Sequence, residues 1–172
     1  MFDIVIRNGS VLDGTGAEAG EVIDASGKTV CPRFLDLHRH ADAALFREGY
    51  GDCDLFQGIT TIGNGNCGLS LAPQAGPYRA AIGAYLKPVT GDFEGIPVDT
   101  FADYMNALKA RPLPVNALML AGSGTIRASV AGFQKLRLED EDFNAIHRRL
   151  EQALADGAGG VSLGLGYAPE CY

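Results

Sequence analysis

The sequence is poor in cysteine and in basic residues, and it lacks any long apolar run. Its four cysteines follow no regular spacing: Cys31, Cys53, Cys67 and Cys171. This argues against a disulfide framework and leaves free thiols or a single thiolate metal ligand. Only 14 lysines and arginines stand against 21 aspartates and glutamates, which gives a formal net charge of -7. We expect no nucleic-acid partner, because phosphate backbones are bound by clustered Lys and Arg.

Membrane and export signals are also missing from the sequence. Apolar residues nowhere run for eighteen positions, and Asp3 and Arg7 interrupt the apolar stretch at the start of the chain. The sequence therefore predicts no membrane-spanning helix and no signal peptide, and we expect a cytoplasmic protein without a membrane partner. With 172 residues, 47% of them hydrophobic, the chain can bury a core.

Residues 1–32 have the pattern of a small β unit. Two short β-branched runs flank Asn8-Gly9, a dipeptide that suits the tight turn of a hairpin. A similar pattern surrounds Ser26-Gly27. We expect two packed hairpins here, with a structural role and no chemistry.

From residue 33 onwards, apolar runs alternate with helix-like stretches. The expected strands are 34–38, 60–66, 115–122 and 159–166, and the expected helices are 43–57, 76–87, 99–110 and 138–156. This rhythm favours a parallel sheet with helical crossovers. The clearest helix, 138–156, begins with acidic residues and ends at Gly157, and we expect its His147 to face solvent.

His38 and His40 close the first apolar run of this alternating region. If the chain is extended there, residues two apart project to the same side, so both imidazoles can reach one object. Imidazole is the commonest protein ligand of metals, which makes a metal ion the favoured object. Arg39 then points away and has a structural role. Asp36 shares the parity of the histidines, and it either orients an imidazole or fills the interior of the sheet.

Cys67 lies in the glycine-rich loop GNGNCGLS, residues 63–70, directly after the second expected strand. In a parallel α/β sheet, such loops gather at the carboxyl edge, which is where His38 and His40 are also expected. The loop lacks the Lys-Ser/Thr ending of a P-loop and the spacing of a dinucleotide fingerprint. No base is placed beside Cys67 or Ser70 for nucleophilic catalysis. A packing role and a functional role for Cys67 both stay open on these grounds.

Three stretches together resemble the amidohydrolase superfamily, and within it the D-aminoacylase (N-acyl-D-amino-acid deacylase) branch: VCPRFLDLHRHAD, QGITTIGNGNCGLSLAP and ALADGAGGVSLGLGYAPECY. The His-x-His element is shared across the superfamily, whereas the GNCG-x-S-x-AP loop is more specific to this branch. The resemblance implies an α/β chain that supplies the N-terminal part of a metal-bearing (β/α)8 TIM-type barrel. On this reading, residues 1–32 are a shortened β-sandwich segment and residues 33–172 are the first half of the barrel.

The same resemblance implies a zinc-dependent hydrolase that deacylates small N-acyl-D-amino acids to a carboxylate and a free D-amino acid. His38 and His40 match the paired histidines of the family's metal centre, and Cys67 matches its zinc-ligating cysteine. Glu170 lies where related enzymes place a metal-bridging carboxylate or a modified lysine. A carboxylate is a plausible zinc ligand, and a surface-loop glutamate is the alternative.

The chain also departs from the family pattern. A barrel of this kind takes about 250 residues, whereas residues 33–172 provide about four strand-helix units. In the family, two further histidines and a catalytic aspartate come from later strands, and this sequence offers no residues for them. Arg33 stands where relatives have glycine, and it would be strained if that position required a positive φ. We therefore expect a fragment that shows no turnover alone and that self-associates through open sheet edges.

The sequence is also compatible with two other functions. The first is an inactive metal-binding or interaction module that kept the fold. The second is a different amidohydrolase reaction, the ring opening of a hydantoin-like or dihydroorotate-like cyclic amide. The GNCG loop disfavours this last possibility.

Overall fold

The chain divides into two units in this computed structural model, which describes residues 2–7, 10–11 and 19–171. The units are Met1–Phe34 and Leu35–Tyr172. Short strands make up the described part of the first unit, and strands alternate with helices in the second. The identity of the first unit as a β-sandwich segment, and of the second as part of a barrel, stays a prediction.

The first unit pairs its strands in parallel. Its strands are β1 (Phe2–Arg7), β2 (Ser10–Val11), β3 (Ala19–Asp24) and β4 (Thr29–Val30). β1 pairs with β3 and β2 pairs with β4. The predicted hairpins are therefore wrong. A six-residue strand can satisfy more backbone N–H and C=O groups against another six-residue strand than against a neighbour of two residues.

The two turns expected in this unit have different outcomes. The turn at Ser26-Gly27 is confirmed: Gly27 has a φ of 71°, and the Lys28 N–H donates to the Ala25 carbonyl at 3.0 Å. The Asp24 carboxylate accepts hydrogen bonds from the backbone N–H and the hydroxyl of Ser26, at 2.9 and 2.6 Å. The Asn8-Gly9 turn lies outside the described residues.

The second unit confirms the prediction of a mixed α/β structure with parallel strands. A three-stranded sheet has the order β5 (Phe34–Asp36), β6 (Ile59–Asn64), β7 (Asn116–Met119). β8 (Ala121–Gly122) and β9 (Val161–Ser162) form a second pair. The β6–β7 and β8–β9 pairings are parallel. The strands fall inside the four runs predicted from the apolar pattern, apart from the first residue of β6.

The helices follow the predicted rhythm with two differences. They are a 3-10 helix (Ala44–Phe46), α1 (Asp52–Phe56), α2 (Arg79–Thr90), α3 (Phe101–Lys109), α4 (Ser123–Ala131) and α5 (Asp140–Ala155). The stretch predicted as one helix over 43–57 is broken, because Gly49 and Gly51 adopt positive φ values of 70° and 98°. No helix among the described residues is long and apolar enough to cross a membrane.

α4 was not predicted, and its burial explains why. Six of its nine residues are buried: Gly124, Thr125, Ile126, Ala128, Ser129 and Ala131. A helix buried on most sides shows no apolar stripe at the helical period, and small residues weaken the pattern further. The periodicity that reveals a surface helix is therefore absent here.

α5 (Asp140–Ala155) confirms the predicted helix over 138–156 with a start two residues later, and it also confirms the solvent-facing histidine. Glu139 and Asp142 form a capping box at its N-terminus. Gly157, directly after the C-cap, has a φ of 107°, which is typical of a residue that ends a helix. The His147 side chain is 72% exposed.

A core of apolar side chains joins the helices to β6 and to the loop after it. Ile62 of β6 and Leu71 of the loop are fully buried with Leu45 and Ile126. Other apolar side chains stay exposed on or just after the strands: Leu35 (58%), Leu37 (56%), Leu118 (38%), Val161 (40%) and Leu163 (64%). The helices therefore cover only part of the apolar surface of the strands, and the exposed side chains listed above are accessible.

Candidate metal centre

Three of the four residues predicted to bind metal follow two neighbouring strands. β5 ends at Asp36, shortly before His38 and His40, and β6 ends at Asn64, shortly before Cys67. The Arg39 N–H donates to the Gly63 carbonyl at 2.9 Å, which ties the histidine segment to β6. A Cβ at position 63 would lie only 3.0–3.2 Å from the backbone of Leu37. Glycine at this position therefore permits the close approach of the two segments.

The structure brings His38, His40 and Cys67 together. One ligand atom from each side chain lies within 4.8 Å of the others. The Cys67 Sγ is 3.3 Å from the His38 Nε2. The two imidazole centroids are 5.8 Å apart, with the ring planes at 77°. Ligands of one tetrahedral zinc ion lie about 3.3–3.8 Å from each other, so small side-chain movements suffice to close this group on an ion.

His40 is the second imidazole of the group, and its surroundings favour metal binding. Burial lowers the pKa of His40, and the nearby His38 lowers it further. The imidazole is therefore neutral at pH 7, the form that binds metals. Its Nδ1 is buried and has no hydrogen-bond partner. A buried nitrogen without a partner is uncommon, and it marks this ring as one with unused bonding capacity.

Arg39 points away from the cluster, as predicted, and has a structural contact. Its guanidinium lies 2.7 Å from the Asp36 carboxylate and 2.6 Å from that of Asp54, whose side chain is 8% exposed. The hydrogen bond from Arg39 lowers the pKa of Asp36. Asp36 also accepts from the backbone N–H of His38 at 3.2 Å. Asp36 therefore fixes the backbone of the histidine segment, which is neither of the two roles that the sequence left open for it.

Cys67 has a backbone conformation that side chains rarely adopt. Its φ of 58° makes it the one non-glycine residue with a positive φ among the described residues. Gly65 and Gly68 beside it have φ values of 75° and 71°. A non-glycine residue in this region costs about 1–3 kcal/mol and persists where its surroundings hold it. Arg33 has no positive φ, so the strain considered for it does not arise.

Asp42 and Asn66 hold the Cys67 loop, and the sequence reasoning assigned a role to neither. Asp42 is 1% exposed, and its carboxylate accepts from the N–H groups of Leu71 (3.1 Å) and Gly65 (3.4 Å). Burial raises the pKa of Asp42 to about 6, although these hydrogen bonds oppose the shift. The Asn66 amide donates to the carbonyls of Arg39 and Gly63, at 3.2 and 3.0 Å. Asp42 lies two residues after His40. This two-residue spacing was the feature of the sequence that could have indicated a role for Asp42 near the histidines.

Ser70 is a structural residue, in agreement with the weak case for a nucleophile. It is 2% exposed. Its hydroxyl donates to the Ala72 carbonyl at 2.6 Å and accepts from the Gly122 N–H at 2.8 Å. These bonds use the hydroxyl to join the Cys67 loop to β8.

Glu170 lies outside the three-residue group. Its Oε2 accepts from the Gly164 N–H at 2.6 Å, and its Oε1 is hydrogen-bonded to the Ser123 hydroxyl. The carboxylate also packs against Gly68, the residue after Cys67. Glu170 is therefore next to the Cys67 loop but bonded to other groups. Its role as a metal ligand stays a prediction.

The donor set suits zinc. One sulfur and two imidazole nitrogens are the ligand types that bind zinc tetrahedrally, whereas magnesium and calcium prefer oxygen. No carboxylate joins this group in the part of the chain that the structure describes. The unpartnered Nδ1 of His40 provides independent evidence that the group has bonding capacity left. The residues present therefore fit a zinc ion.

Comparison with known sequences shows extensive similarity to D-amino-acid deacylases. No family model matches the chain. The D-aminoacylase of Alcaligenes xylosoxydans xylosoxydans is 34% identical over 191 residues, covering 98% of this chain and 39% of that protein. The N-acyl-D-aspartate deacylase of the same organism is 36% identical over 170 residues, covering 97% of this chain and 33% of that protein.

Comparison with solved structures agrees. A D-aminoacylase, studied for the function of its binuclear metal centre, matches with a TM-score of 0.79 and 32% identity, covering 99% of this chain and 40% of that one. The N-acyl-D-glutamate deacylase of Bordetella bronchiseptica, complexed with zinc and a phosphonate inhibitor, matches with a TM-score of 0.75 and 29% identity, with coverages of 98% and 40%. These findings confirm the resemblance predicted from the motifs. The chain spans a third to two fifths of the length of these relatives.

Proposed function

Because the chain is homologous to the D-aminoacylases and N-acyl-D-amino-acid deacylases along nearly its whole length, we propose that it supplies metal ligands to a zinc-dependent amide hydrolase. The observation that carries the proposal is the approach of His38, His40 and Cys67 to within 4.8 Å of one another. The substrate class is a small N-acyl-D-amino acid, which is hydrolysed to a carboxylate and a free D-amino acid. Relatives that carry the names of D-aspartate and D-glutamate deacylases support this class.

The residues of this chain perform the binding part of that chemistry. When bound, zinc supplies Lewis acidity towards the scissile carbonyl and towards water. Cys67 would bind as a thiolate and His38 and His40 as neutral imidazoles, so metal binding releases a proton from the cysteine. Asp36 and Arg39 fix the backbone of the histidine segment through ion pairs that do not involve the ligand atoms.

Glu170 is a less favoured candidate for a further ligand. Its proximity to Gly68 supports the assignment. Against it, both carboxylate oxygens already have partners in Gly164 and Ser123. Metal binding by Glu170 would require the side chain to leave both.

The architecture that goes with this function is the first half of a (β/α)8 barrel over residues 33–172, with residues 1–32 as part of a small β-sandwich. The TM-score of 0.79 with a solved D-aminoacylase supports this finer description. Exposed apolar side chains on and after the strands, among them Leu35, Leu37 and Leu163, support self-association of the chain when it is studied alone.

A metal-binding module without turnover is the second candidate function. One observation favours it: among the described residues, no carboxylate joins the three donors to move a proton between water and the leaving amine. No observation favours the ring opening of a cyclic amide.

The test begins with metal content. His38→Ala and His40→Ala should each lower the zinc bound per chain, as measured by mass spectrometry of the metal after dialysis. His147→Ala is the matched control, because His147 is the third and last histidine of the chain and is exposed on α5. Equal zinc in all three variants would overturn the metal site.

Activity then separates the two candidate functions. The zinc-loaded protein is assayed with N-acetyl-D-methionine and with its L enantiomer. Hydrolysis of the D form that is lost in Cys67→Ala supports the deacylase. Zinc binding through these residues without turnover supports the metal-binding module and contradicts catalysis by this chain.

A further inference from the structure

Ser162 joins the two ends of the turn that carries Cys67. It lies on β9, is 8% exposed, and is not one of the predicted metal ligands. The Gly68 N–H donates to the Ser162 Oγ at 3.0 Å, and the Ser162 hydroxyl donates to the Gly65 carbonyl. One side chain thus bonds the residue that opens the turn and the residue that closes it, with Cys67 between them.

The turn needs such external bonds because of its conformation. Gly65, Cys67 and Gly68 all have positive φ, and the conformation is unfavourable for Cys67. Without the hydroxyl of Ser162, the Gly68 N–H and the Gly65 carbonyl would be buried without this partner, which favours rearrangement of the turn. A rearranged turn moves the Cys67 Sγ, because the side chain follows the backbone directly.

The turn packs tightly against the neighbouring strands, which leaves little room for another group to replace the hydroxyl of Ser162. A Cβ at Gly164 would overlap the Cys67 carbonyl, and a Cβ at Gly122 would overlap the Gly68 carbonyl. The Ser123 hydroxyl is hydrogen-bonded to the Ser162 carbonyl at 2.8 Å and also contacts Glu170. Ser123 and Glu170 therefore help to hold Ser162, which in turn holds the Cys67 turn.

We propose that Ser162 is a positioning residue that holds the Cys67 thiolate in place for the metal, although it is not itself a ligand. The inference rests on the proposed metal-binding function. It also assigns a second role to the Ser123–Glu170 contact, which is to brace β9 behind the Cys67 turn.

Cobalt titration of the whole 172-residue chain tests the proposal, since a thiolate bound to cobalt(II) gives a charge-transfer absorption band. Ser162→Ala should weaken cobalt affinity about 10- to 100-fold, the range found when partners of ligand residues are removed. At saturating cobalt, the band should also be weaker or shifted, because the sulfur is displaced. Ser162→Thr returns the hydroxyl and should recover a large part of both quantities.

Ser129→Ala is the matched control. Ser129 is 1% exposed on α4. Its hydroxyl donates to the Ile126 carbonyl at 2.7 Å and accepts from Arg149, so its hydrogen bonds go to residues outside the Cys67 turn. This variant loses a comparable number of hydrogen bonds. It should therefore be less stable than the original protein, with the same cobalt affinity and the same cobalt-thiolate band. Equal losses of affinity in Ser129→Ala and Ser162→Ala would overturn the positioning role.

The remaining outcomes are also decisive. If the unaltered chain shows no thiolate band, the proposed metal site fails, independently of Ser162. If it shows the band and Ser162→Ala shows the same band and affinity, the positioning role alone fails. Should circular dichroism show that Ser162→Ala is unfolded, Ser123→Ala provides the test. It should weaken cobalt binding by about 2- to 10-fold, less than direct loss of the turn contact, and unchanged binding would contradict the proposal.

Discussion

The two segments that form the candidate metal centre are held in different ways. His38 and His40 lie on a short stretch after β5. It is held by the Asp36–Arg39 ion pair three residues apart and by bonds of Arg39 to Asp54, Gly63 and Asn66, at most 27 residues away. Cys67 lies on a turn that is fixed from far along the chain, by Asp42, 23 residues away, and by Ser162, 94 and 97 residues away from the groups that it bonds. The histidine segment is held by the first two strands of the unit and by α1, whereas the cysteine turn also depends on β9, close to the end of the chain.

This difference predicts how the site responds to damage. A change that loosens the packing of the unit should affect the sulfur ligand before the histidines, because the strained backbone at Cys67 needs its distant partners. Metal that remains after such a change should be bound mainly by imidazole. The substitutions below test this order.

Removal of the sulfur ligand itself should have the largest effect. Cys67→Ala should abolish the cobalt-thiolate band and lower metal affinity more than about 100-fold, beyond the range for the loss of a supporting partner. Cys53→Ala is the control, because this thiol is exposed on α1 and outside the group. A band that persisted in Cys67→Ala would transfer the ligand role to another cysteine, with Cys171 the first to examine.

Asp42→Ala should be the most damaging change among the supports. It removes the acceptor for two buried backbone N–H groups, at Gly65 and Leu71, and should lower the free energy of unfolding by about 2–4 kcal/mol. Urea denaturation measures this loss. The cobalt-thiolate band should weaken at the same time.

Asp99→Ala provides the comparison for Asp42. The Asp99 side chain is 56% exposed and forms an ion pair with Arg79 at 2.8 Å. An exposed pair of this kind contributes at most about 1 kcal/mol, and the band should not change. Similar stability losses in the two variants would contradict the role given to Asp42.

Arg39→Ala tests the histidine side of the comparison and should have the smallest effect of the three on the sulfur ligand. It leaves the nearly buried Asp54 carboxylate without its cation and should cost about 1–3 kcal/mol in the free energy of unfolding. Metal affinity should fall because the histidine segment loosens. The band per bound cobalt should keep its intensity, because the variant keeps the backbone bonds of residue 39 to Gly63 and Asn66. Loss of the band would show that the ion pairs of Arg39 also hold the Cys67 turn.

Thr100→Ala calibrates stability loss without damage to either segment. Thr100 caps α3 by accepting from the Asp103 N–H at 3.0 Å. Its loss should cost about 1 kcal/mol, with metal affinity and band unchanged. A weaker band in this variant would mean that the sulfur ligand responds to global stability and not to its own contacts.

The predictability of the molecule from its sequence follows the same division between local and distant interactions. Short-period patterns predict the alternation of strands and helices, the limits of α5 to within two residues and the closeness of His38 to His40. The structure agrees with these, apart from the broken helix over 43–57 and the unpredicted α4. The hairpins were predicted wrongly and α4 was not predicted. In both cases the structure depends on which distant element each segment packs or pairs with. Neither strand partnership nor all-round burial leaves a periodic signal.

The site divides in a similar manner. The motif resemblance indicated Cys67, but its left-handed backbone and its partner Ser162 are set by contacts nearly a hundred residues apart. The carboxylate of Glu170 was expected near the metal ligands, and its direction depends on hydrogen bonds to Ser123 and Gly164 that no spacing rule predicts. The sequence therefore names the candidate ligands and does not reveal the residues that hold them.

X-ray absorption spectroscopy at the zinc edge tests the central claim most directly, since it reports the atoms bound to the metal in the zinc-loaded chain. The account predicts one sulfur at about 2.3 Å and at least two nitrogens at about 2.0–2.1 Å. Cys67→Ala should lose the sulfur shell, and His147→Ala should leave both shells unchanged. A zinc ion surrounded only by nitrogen and oxygen in the unaltered chain would contradict the assignment of His38, His40 and Cys67 as one metal centre.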